Sequence, residues 1–339
     1  MHRGALRLGR ALLAGAAAAV LATTPAWAAT PRSTGLHEPI SVPSVLSSNG
    51  KRVWLANTGS SSVLELSAYS GRELLNVKGS KFKFDNSDAI TQYGNDVWVS
   101  NEASDTVTEF AATTGTLRHV LHGPTFHFAI PTQLVAVDRH VYVLDAAGDK
   151  ITVIVERNGR LARYLEGPRF HLDHAVAIVR AGQDLWAVSA DGTLTELSGA
   201  TGGVLRVVVG PTAHLVHPVA ATTNGADLLV ADAGTGTVTV LSAATGRYLG
   251  SISTGAVPLR RATSIAATDG TIWVASTASP AFVVGLRARG GTTVHVFRHR
   301  FTFPAVFADA RHVWVVDRIQ SRVTELAPTT GSVLRTLVN

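Results

Sequence analysis

The chain has 339 residues, of which 46% are hydrophobic and 16% are charged, and its formal net charge is +6. This composition supplies ample material for a packed core and excludes an intrinsically disordered polymer. Cysteine is absent, which excludes disulfides, thiol catalysis and a lipid anchor attached to cysteine.

The first 28 residues have the pattern of a secretory signal peptide. Three arginines precede an apolar run at residues 11–22, and residues 26–28, Ala-Trp-Ala, fit the small-x-small cleavage pattern. An uncleaved membrane anchor is the alternative, but Pro25 leaves the apolar run shorter than the ~20 residues that a spanning helix needs. We therefore expect cleavage after Ala28 and a bacterial protein that is secreted or lies in the cell envelope.

Cleavage would also change the charge of the chain. Without the three leader arginines, 27 basic residues face 24 acidic ones, a net charge of +3. This modest charge, without a Lys/Arg block or a basic helix interleaved with aromatics, argues against a nucleic-acid partner. No later stretch is long and apolar enough to span a bilayer.

The rest of the chain repeats a unit of about 44 residues. One marker is the central residue of a Val-Trp-Val-like strand: Trp54, Trp98, Tyr142, Trp186, Leu229, Trp273 and Trp314. The second marker is a turn glycine: Gly71, Gly115, Gly159, Gly202, Gly246, Gly290 and Gly331. Two markers in step over seven copies indicate a repeat architecture.

Each copy divides into four short runs with alternating or β-branched residues. In the second copy these runs are residues 89–92, 97–101, 106–110 and 117–121, and their pattern predicts strands rather than helices. Four strands in about 44 residues is typical of one β-propeller blade. The alternative, a straight β-solenoid, usually has shorter coils and needs distinct capping copies, which the sequence does not show.

We therefore predict an all-β chain that forms a seven-bladed β-propeller of four-stranded antiparallel blades over residues 43–339. Residues 29–42 would form an N-terminal arm, which could still add a strand. The copies begin on a first strand and end on a fourth, so the ring is expected to close without an exchanged strand. The recurrent tryptophans are interpreted as core packing rather than as stacking surfaces for a ligand.

Four strand–turn–strand segments resemble the bacterial YVTN/NHL-type propeller repeats. They read VWLAN…SSVLEL, VWVSN…DTVTEF, LLVAD…GTVTVL and VWVVD…SRVTEL. The resemblance covers essentially the whole mature chain and implies a secreted or surface propeller. Rings of this kind include binding platforms, structural modules, virginiamycin B lyase-like enzymes and sugar-lactone lactonases, so the resemblance fixes no function. No residue set carries over from either enzyme class.

The connector into the next blade carries two polar columns. Its copies read KGSKFKFDNSDAI, HGPTFHFAIPTQL, EGPRFHLDHAVAI and VGPTAHLVHPVA. The first column is Lys83, His127, His171 and His214, and three residues further along lie Asn86, Ile130, His174 and His217. We expect His174 and His217 beside the channel mouth. Two interpretations stay open: a histidine-lined ligand or metal site, or alternate polar residues of an exposed loop.

Other polar features give weaker indications of chemistry. A column after each second strand contains Asn57, Asn101, Asp145, Ser189, Asp232, Ser276 and Asp317. Its recurrence in every copy favours hydrogen bonds to nearby backbone over cation binding. The predicted channel strands are small and apolar, which argues against a metal site in the channel. The chain contains no nucleophile elbow, no phosphate-binding loop and no His-Glu-x-x-His motif.

We therefore expect a monomeric binding or scaffold module, without a metal or cofactor, that uses one loop face to bind a protein, a peptide or an envelope glycan. The expected ligand contacts are His174, His217, His171, His214, His127, Lys83 and Asn86. The alternative is a propeller enzyme, a lyase or a lactonase-like hydrolase, with a histidine-lined site at the channel mouth. A third possibility is an extracellular interaction array that has no small ligand.

Overall fold

The computed structural model describes residues 36–253, 259–268, 270–288, 293–298 and 300–338. The predicted signal peptide lies outside these described residues. Seven antiparallel sheets, each made of four consecutive strands in chain order, form the chain. The predicted seven-bladed, all-β propeller is therefore confirmed.

Each blade runs from an inner strand to an outer strand. Blades 1 to 4 contain β1 Pro43–Ser48, β2 Arg52–Asn57, β3 Ser62–Ser67, β4 Glu73–Lys78; β5 Ser87–Tyr93, β6 Asp96–Asn101, β7 Thr106–Ala111, β8 Leu117–Leu121; β9 Pro131–Val137, β10 His140–Asp145, β11 Lys150–Val155, β12 Arg160–Leu165; and β13 Ala175–Ala181, β14 Asp184–Ser189, β15 Leu194–Ser198, β16 Val204–Val208. Blades 5 to 7 contain β17 Pro218–Thr223, β18 Asp227–Asp232, β19 Thr237–Ser242, β20 Tyr248–Ile252; β21 Ala262–Thr268, β22 Thr271–Ser276, β23 Phe282–Arg287, β24 Thr293–Arg298; and β25 Pro304–Ala308, β26 Val313–Asp317, β27 Arg322–Leu326, β28 Val333–Leu337.

Short helical turns occur only between strands in the described parts of the chain. They are Thr58–Ser60, Ser80–Phe82, Gly123–Thr125, Glu156–Asn158, Pro168–Phe170, the four-residue α-helix α1 Gly210–Ala213, and Leu259–Arg261. Across the residues that the structure describes, no helix has both the length and the apolar character needed to traverse a bilayer.

The seven inner strands pack side by side around a central channel. Each contacts the inner strand of the next blade, and β1 contacts both β5 and β25, so the ring is closed. Among the described residues, no sheet contains a strand from another blade, which confirms closure without strand exchange. Two loop types share one end of the ring: the loop between the second and third strands, and the connector from each outer strand to the next inner strand. We call this end the connector face.

The core lies between neighbouring blades. All seven anchor residues on the second strands are at most 1% exposed, which confirms their interpretation as core. Trp54 on β2, for example, meets Phe110 on β7 of the next blade edge to face, with 5.5 Å between ring centroids. A propeller blade has two apolar faces, and the two neighbours in the ring bury both of them.

The turn glycine is required by both its backbone and its neighbour. Gly246 has a φ of +68°, and a Cβ atom there would lie 2.7 Å from Cη2 of Trp186 in the preceding blade. A side chain at this position would therefore strain the turn and clash with the anchor. The other described marker glycines likewise face the fourth strand of the preceding blade, as Gly115 faces Val77, so the close approach of neighbouring blades requires glycine at this turn.

The described part of the arm, residues 36–42, takes the place that a connector occupies in the other blades. Ile40 is fully buried in a cluster that includes Leu46 of blade 1 and Trp314 of blade 7. The Ser41 N–H donates to Oδ1 of Asn57 over 2.6 Å, and the Val42 N–H donates to Oγ of Ser321. These residues add no strand to any described sheet, so the arm seals the junction between the first and last blades.

Candidate functional site

The backbone conformation of the connector explains why the first predicted column recurs. Lys83, His127, His171 and His214 all have a positive φ, between +48° and +58°, where each closes a short turn of the connector. Histidine enters this left-handed region more readily than most residues, although bulky residues are uncommon there. All four side chains are exposed. Their alternation in the sequence therefore reflects connector geometry, whether or not they also contact a ligand.

The structure brings two members of this column together. Lys83 and His127 line one groove of about 710 Å³ between the connectors of blades 2 and 3, together with Lys81 and His122. A second groove of about 840 Å³ adjoins it and shares Lys83. His171 and His214 belong to later blades, and the His214 ring packs on Tyr248 with 4.1 Å between centroids.

The second predicted column lies at the channel mouth. Each member immediately precedes the inner strand of its blade, and the full set, which we call the mouth ring, is Val42, Asn86, Ile130, His174, His217, Arg261 and Phe303. His174 and His217 occupy neighbouring positions of this ring and are exposed. Their backbone N–H groups donate to Asp149 and Asp232, over 2.7 and 2.9 Å.

A metal site receives no support from the arrangement of these histidines. In the part of the chain that the structure describes, no three histidine or acidic side chains converge as metal ligands. His174 and His217 thus offer two exposed imidazoles without a third ligand among the described residues. Whether they contact another kind of ligand stays a prediction.

The Asn/Asp column is structural, as its recurrence predicted. Asn57, Asn101, Asp145, Asp232 and Asp317 are fully buried. Asp232 illustrates their role, because its carboxylate accepts the backbone N–H groups of Val216, His217 and Gly234 over 2.8 to 2.9 Å. These side chains hold the connector against its own blade and have little capacity left for a cation.

Burial has an electrostatic consequence at one member of this column. The pKa of Asp145 is raised to about 6 because burial disfavours its charged form. The N–H of Ala129, the ammonium group of Lys150 and the hydroxyl of Thr152 act in the opposite direction. The side chain has no exposed surface, so its raised pKa marks a buried support rather than an accessible acid.

Two further columns surround the mouth just inside the ring. The second residue of each inner strand is Ser44, Asp88, Thr132, Val176, Val219, Thr263 and Ala305. The first residue after each second strand is Thr58, Glu102, Ala146, Ala190, Ala233, Thr277 and Arg318. Both columns are small or uncharged in most blades. Charged side chains interrupt them only at Asp88, Glu102 and Arg318.

A bulge positions the carboxyl group of Asp88. In β5, the pairing with β6 shifts between Ser87 and Ala89, so Asp88 is the extra residue. A bulge of this kind breaks the alternation of the strand and redirects a side chain. The same irregularity occurs in the inner strands of blades 1 and 3 to 6, but only blade 2 places an acid there.

The charged groups form one cluster with Asn86 of the mouth ring. The Asn86 amide donates to Oε2 of Glu102 and accepts from the Arg318 guanidinium. Asp88 lies close enough to Glu102 for that carboxyl group to raise its pKa. We call Asn86, Asp88, Glu102 and Arg318 the mouth cluster. Arg318 belongs to blade 7 and the other three residues belong to blade 2. The cluster therefore extends past the channel-mouth end of blade 1, which lies between these two blades.

The carboxyl group of Asp88 titrates near neutral pH because of its surroundings. Burial is the largest cause, followed by the hydrogen bond to Glu102 and its negative charge, and together they raise the pKa of Asp88 to about 7. Arg318 opposes this shift. The cluster can therefore donate as well as accept hydrogen bonds near neutral pH.

Apolar side chains flank the cluster on the connector face. Ile130 and Phe303 of the mouth ring are 39% and 49% exposed, and Ile319, which follows Arg318, is 66% exposed. Val216, next to His217, is 64% exposed. Exposed apolar residues in one region often mark an interaction surface. The mouth thus combines polar groups with an apolar border.

Asn86 was predicted from the sequence, but Asp88, Glu102 and Arg318 were not. The second inner strand was predicted to begin at residue 89, whereas β5 begins at Ser87. The contact between Asn86 and Arg318 joins positions 232 residues apart, and it exists only because the ring closes. A comparison of equivalent positions across the seven copies would have singled out the three charged residues.

Comparisons with known proteins establish only the fold. No family model and no curated protein matches the chain. A solved streptogramin B lyase superimposes with a TM-score of 0.65 and 15% identity, over 90% of this chain and 96% of that one. A computationally designed protein, Ika8, gives a TM-score of 0.62 and 18% identity, over 88% and 83% of the two chains.

A third solved neighbour is a catalytically inactive variant of virginiamycin B lyase from Staphylococcus aureus, with quinupristin. Its TM-score is 0.63 with 16% identity, over 83% of this chain and 94% of that one. These neighbours share the propeller architecture with this chain. Identities of 15 to 18% carry no function from one chain to another.

Proposed function

We propose that this chain is a binding propeller that takes a peptide at the channel mouth of its connector face. One observation supports this most strongly: the packing columns repeat around the ring, whereas charge interrupts the two inner mouth columns only at Asp88, Glu102 and Arg318. Every blade has the same packing requirements. A departure confined to the mouth therefore favours recognition of a ligand.

The mouth offers the groups that a peptide needs. The Arg318 guanidinium is suited to carbonyl or carboxylate oxygens, and the Asp88–Glu102 pair to amide or ammonium hydrogens. Ile130, Phe303 and Ile319 offer apolar surface to side chains. Of the three expected partner classes, a glycan would leave these apolar side chains without partners, so a peptide segment, free or part of a protein, fits best.

A displayed random-peptide library would test this proposal. The library is selected on the immobilised mature chain, and the enriched peptides are titrated by fluorescence anisotropy. We expect Arg318→Gln to weaken them about tenfold or more, the scale of one charge-assisted hydrogen bond. Arg311→Gln is the matched control, because it removes an exposed arginine from the opposite end of the ring. Peptides that bind both variants as tightly as the wild type would contradict the proposal.

A second candidate is an enzyme, and the Asp88–Glu102 pair favours it. A carboxyl group with a pKa of about 7 can donate and accept a proton at neutral pH. Two of the solved neighbours are lyases. Incubation of the mature chain with quinupristin, followed by chromatography and mass spectrometry, tests this candidate. Consumption that Asp88→Asn abolishes would support it, and unchanged quinupristin would exclude this reaction.

We also propose that the repeats are of the YVTN/NHL type and that the chain is exported. The leader pattern in residues 1–28 supports export. N-terminal sequencing of protein recovered from the culture medium should begin at Ala29. Recovery of the chain only from the cytoplasm, with Met1 retained, would refute export and leave the binding proposal intact.

A further inference from the structure

Lysine has an unusual distribution in this chain. Of its five lysines, Lys78, Lys81 and Lys83 lie in the connector between blades 1 and 2 or at its start, and the others are Lys51 and Lys150. The equivalent segments that begin at His122, Glu166 and Val209 contain none. Connector packing therefore does not require lysine here. Arg169 carries positive charge at the position of Lys81 in the connector between blades 3 and 4, where His171 stands in place of Lys83. Lysine at both positions is confined to the connector between blades 1 and 2, at a place separate from the mouth cluster.

Two of these lysines have no counter-ion within the described parts of the chain. Lys78 lies 3.6 Å from a carboxylate oxygen of Glu38. Lys81 and Lys83 are exposed, and no described carboxylate lies within 4 Å of either ammonium group. The Lys81 ammonium packs 5.1 Å from the Phe82 ring centroid. Their charges therefore face solvent in the two grooves described above.

The shape and lining of the grooves suit an extended polar ligand. The grooves share Lys83 and Ser104, so one continuous path passes Lys83 from blade 1 to blade 3. Hydroxyl groups of Ser60, Ser80 and Thr106 line this path. Each groove alone is within the range of a typical small-molecule pocket, about 300–1,000 Å³, and the two together extend along the path. A chain-like ligand would fit it better than a single small anion.

Acidic residues near the path do not neutralise the two lysines. Asp105 lines the first groove, but its Oδ1 accepts the Ile130 N–H over 2.9 Å, at the mouth side. Asp85 lines only the second groove. The stretch between Lys81 and His127 has two lysines against one aspartate and therefore keeps a net positive charge.

We propose that this path, the lysine groove, binds a linear anionic polymer that carries a phosphate or carboxylate group in each repeating unit. Lysine ammonium groups are flexible point charges that bind phosphate and carboxylate oxygens without a fixed geometry. The serine and threonine hydroxyls would donate hydrogen bonds to the oxygens between the charges. This site is independent of the peptide site proposed at the mouth.

The test uses two probes, inorganic polyphosphate and polygalacturonate, titrated against the mature chain at low and at moderate ionic strength. We expect at least one probe to bind, and added salt to weaken it through screening. The double variant Lys81→Gln/Lys83→Gln should bind about tenfold more weakly, the scale of two exposed ion pairs. The probe that binds identifies phosphate or carboxylate as the preferred group.

The matched control is Lys51→Gln/Arg311→Gln, which removes the same two charges from the opposite face. It should retain wild-type affinity, and both double variants should melt at the wild-type temperature. Failure of both probes to bind would overturn the proposal, as would equal affinity of the two double variants. Peptides selected at the mouth should bind Lys81→Gln/Lys83→Gln normally, so the two proposals can fail separately.

Discussion

Asp88 differs from its equivalents in the other six blades in both charge and hydrogen bonding. The equivalent residues are Ser44, Thr132, Val176, Val219, Thr263 and Ala305. A buried carboxyl group next to another carboxyl group favours the protonated form. The folded state consequently holds a proton at Asp88 that the unfolded chain releases at a lower pH. This difference makes the mouth cluster visible in stability measurements.

The first prediction concerns the pH dependence of that stability. Because the folded-state pKa of Asp88 is raised from 3.8 to about 7, its contribution is fully present below 3.8 and is lost as the pH rises through 7. Asp88→Asn removes the titration and keeps a neutral side chain. The free energy of unfolding of the wild type relative to Asp88→Asn should therefore fall from pH 4 to pH 8, as measured by urea denaturation. Parallel pH profiles of the two proteins would contradict the assignment.

A second prediction at the residue scale concerns the buried support of a connector. Asp232→Ala leaves the N–H groups of Val216, His217 and Gly234 without their acceptor. We expect a loss of about 3 kcal/mol in the free energy of unfolding, because unpaired buried donors are costly. Urea denaturation measures this loss, with the exposed connector residue Asp173→Ala as the control. Equal stability of the two variants would show that Asp232 does not hold the connector.

Each connector contains both residues that pack in the core and residues that are exposed on the connector face. Its apolar residues, such as Phe82 and Phe84, stack with 5.3 Å between centroids and bury themselves under the blade. The residues between them have positive φ values and point to solvent. This alternation was visible in the sequence as two columns. The sequence could not show that a left-handed backbone conformation explains the recurrence of the first column, Lys83, His127, His171 and His214.

A third prediction tests the arm as a substitute connector. Ile40→Ala should lower the free energy of unfolding by about 2–5 kcal/mol, because it opens a cavity between the first and last blades. Val42→Ala, at an exposed position of the same arm, should change it by less than about 0.5 kcal/mol. Thermal and urea denaturation of both variants measure the difference. Similar effects at the two positions would show that the arm does not seal the ring.

At the scale of the whole molecule, the fold was predictable because its signals are local and repeated. The tryptophan and glycine markers belong to contacts between neighbouring blades, such as Gly246 with Trp186, and seven copies amplify a weak pattern. The mouth cluster was not predictable in the same way. It depends on a bulge at Asp88 and on ring closure, which brings Arg318 to Asn86. The bulge recurs in five other blades, but an acid at that position and the closing contact each occur once, so no repetition in the sequence indicates them.

A ring of near-identical blades makes departures from the repeat informative. The mouth cluster interrupts the repeat with paired carboxyl groups and a guanidinium, and the lysine groove departs from it through Lys81 and Lys83, which have no counter-ion among the described residues. Both lie on the connector face. A peptide held at the mouth and an anionic polymer held beside it would leave the opposite face of the ring without a ligand.

The most direct test of the central claim is a crystal structure of the mature chain with a peptide enriched from the random library. We expect the peptide to lie over the channel mouth, with a polar group on Arg318 and an apolar side chain against Phe303. A peptide bound on the outer strands, or at the opposite end of the ring near Lys51 and Arg311, would contradict it.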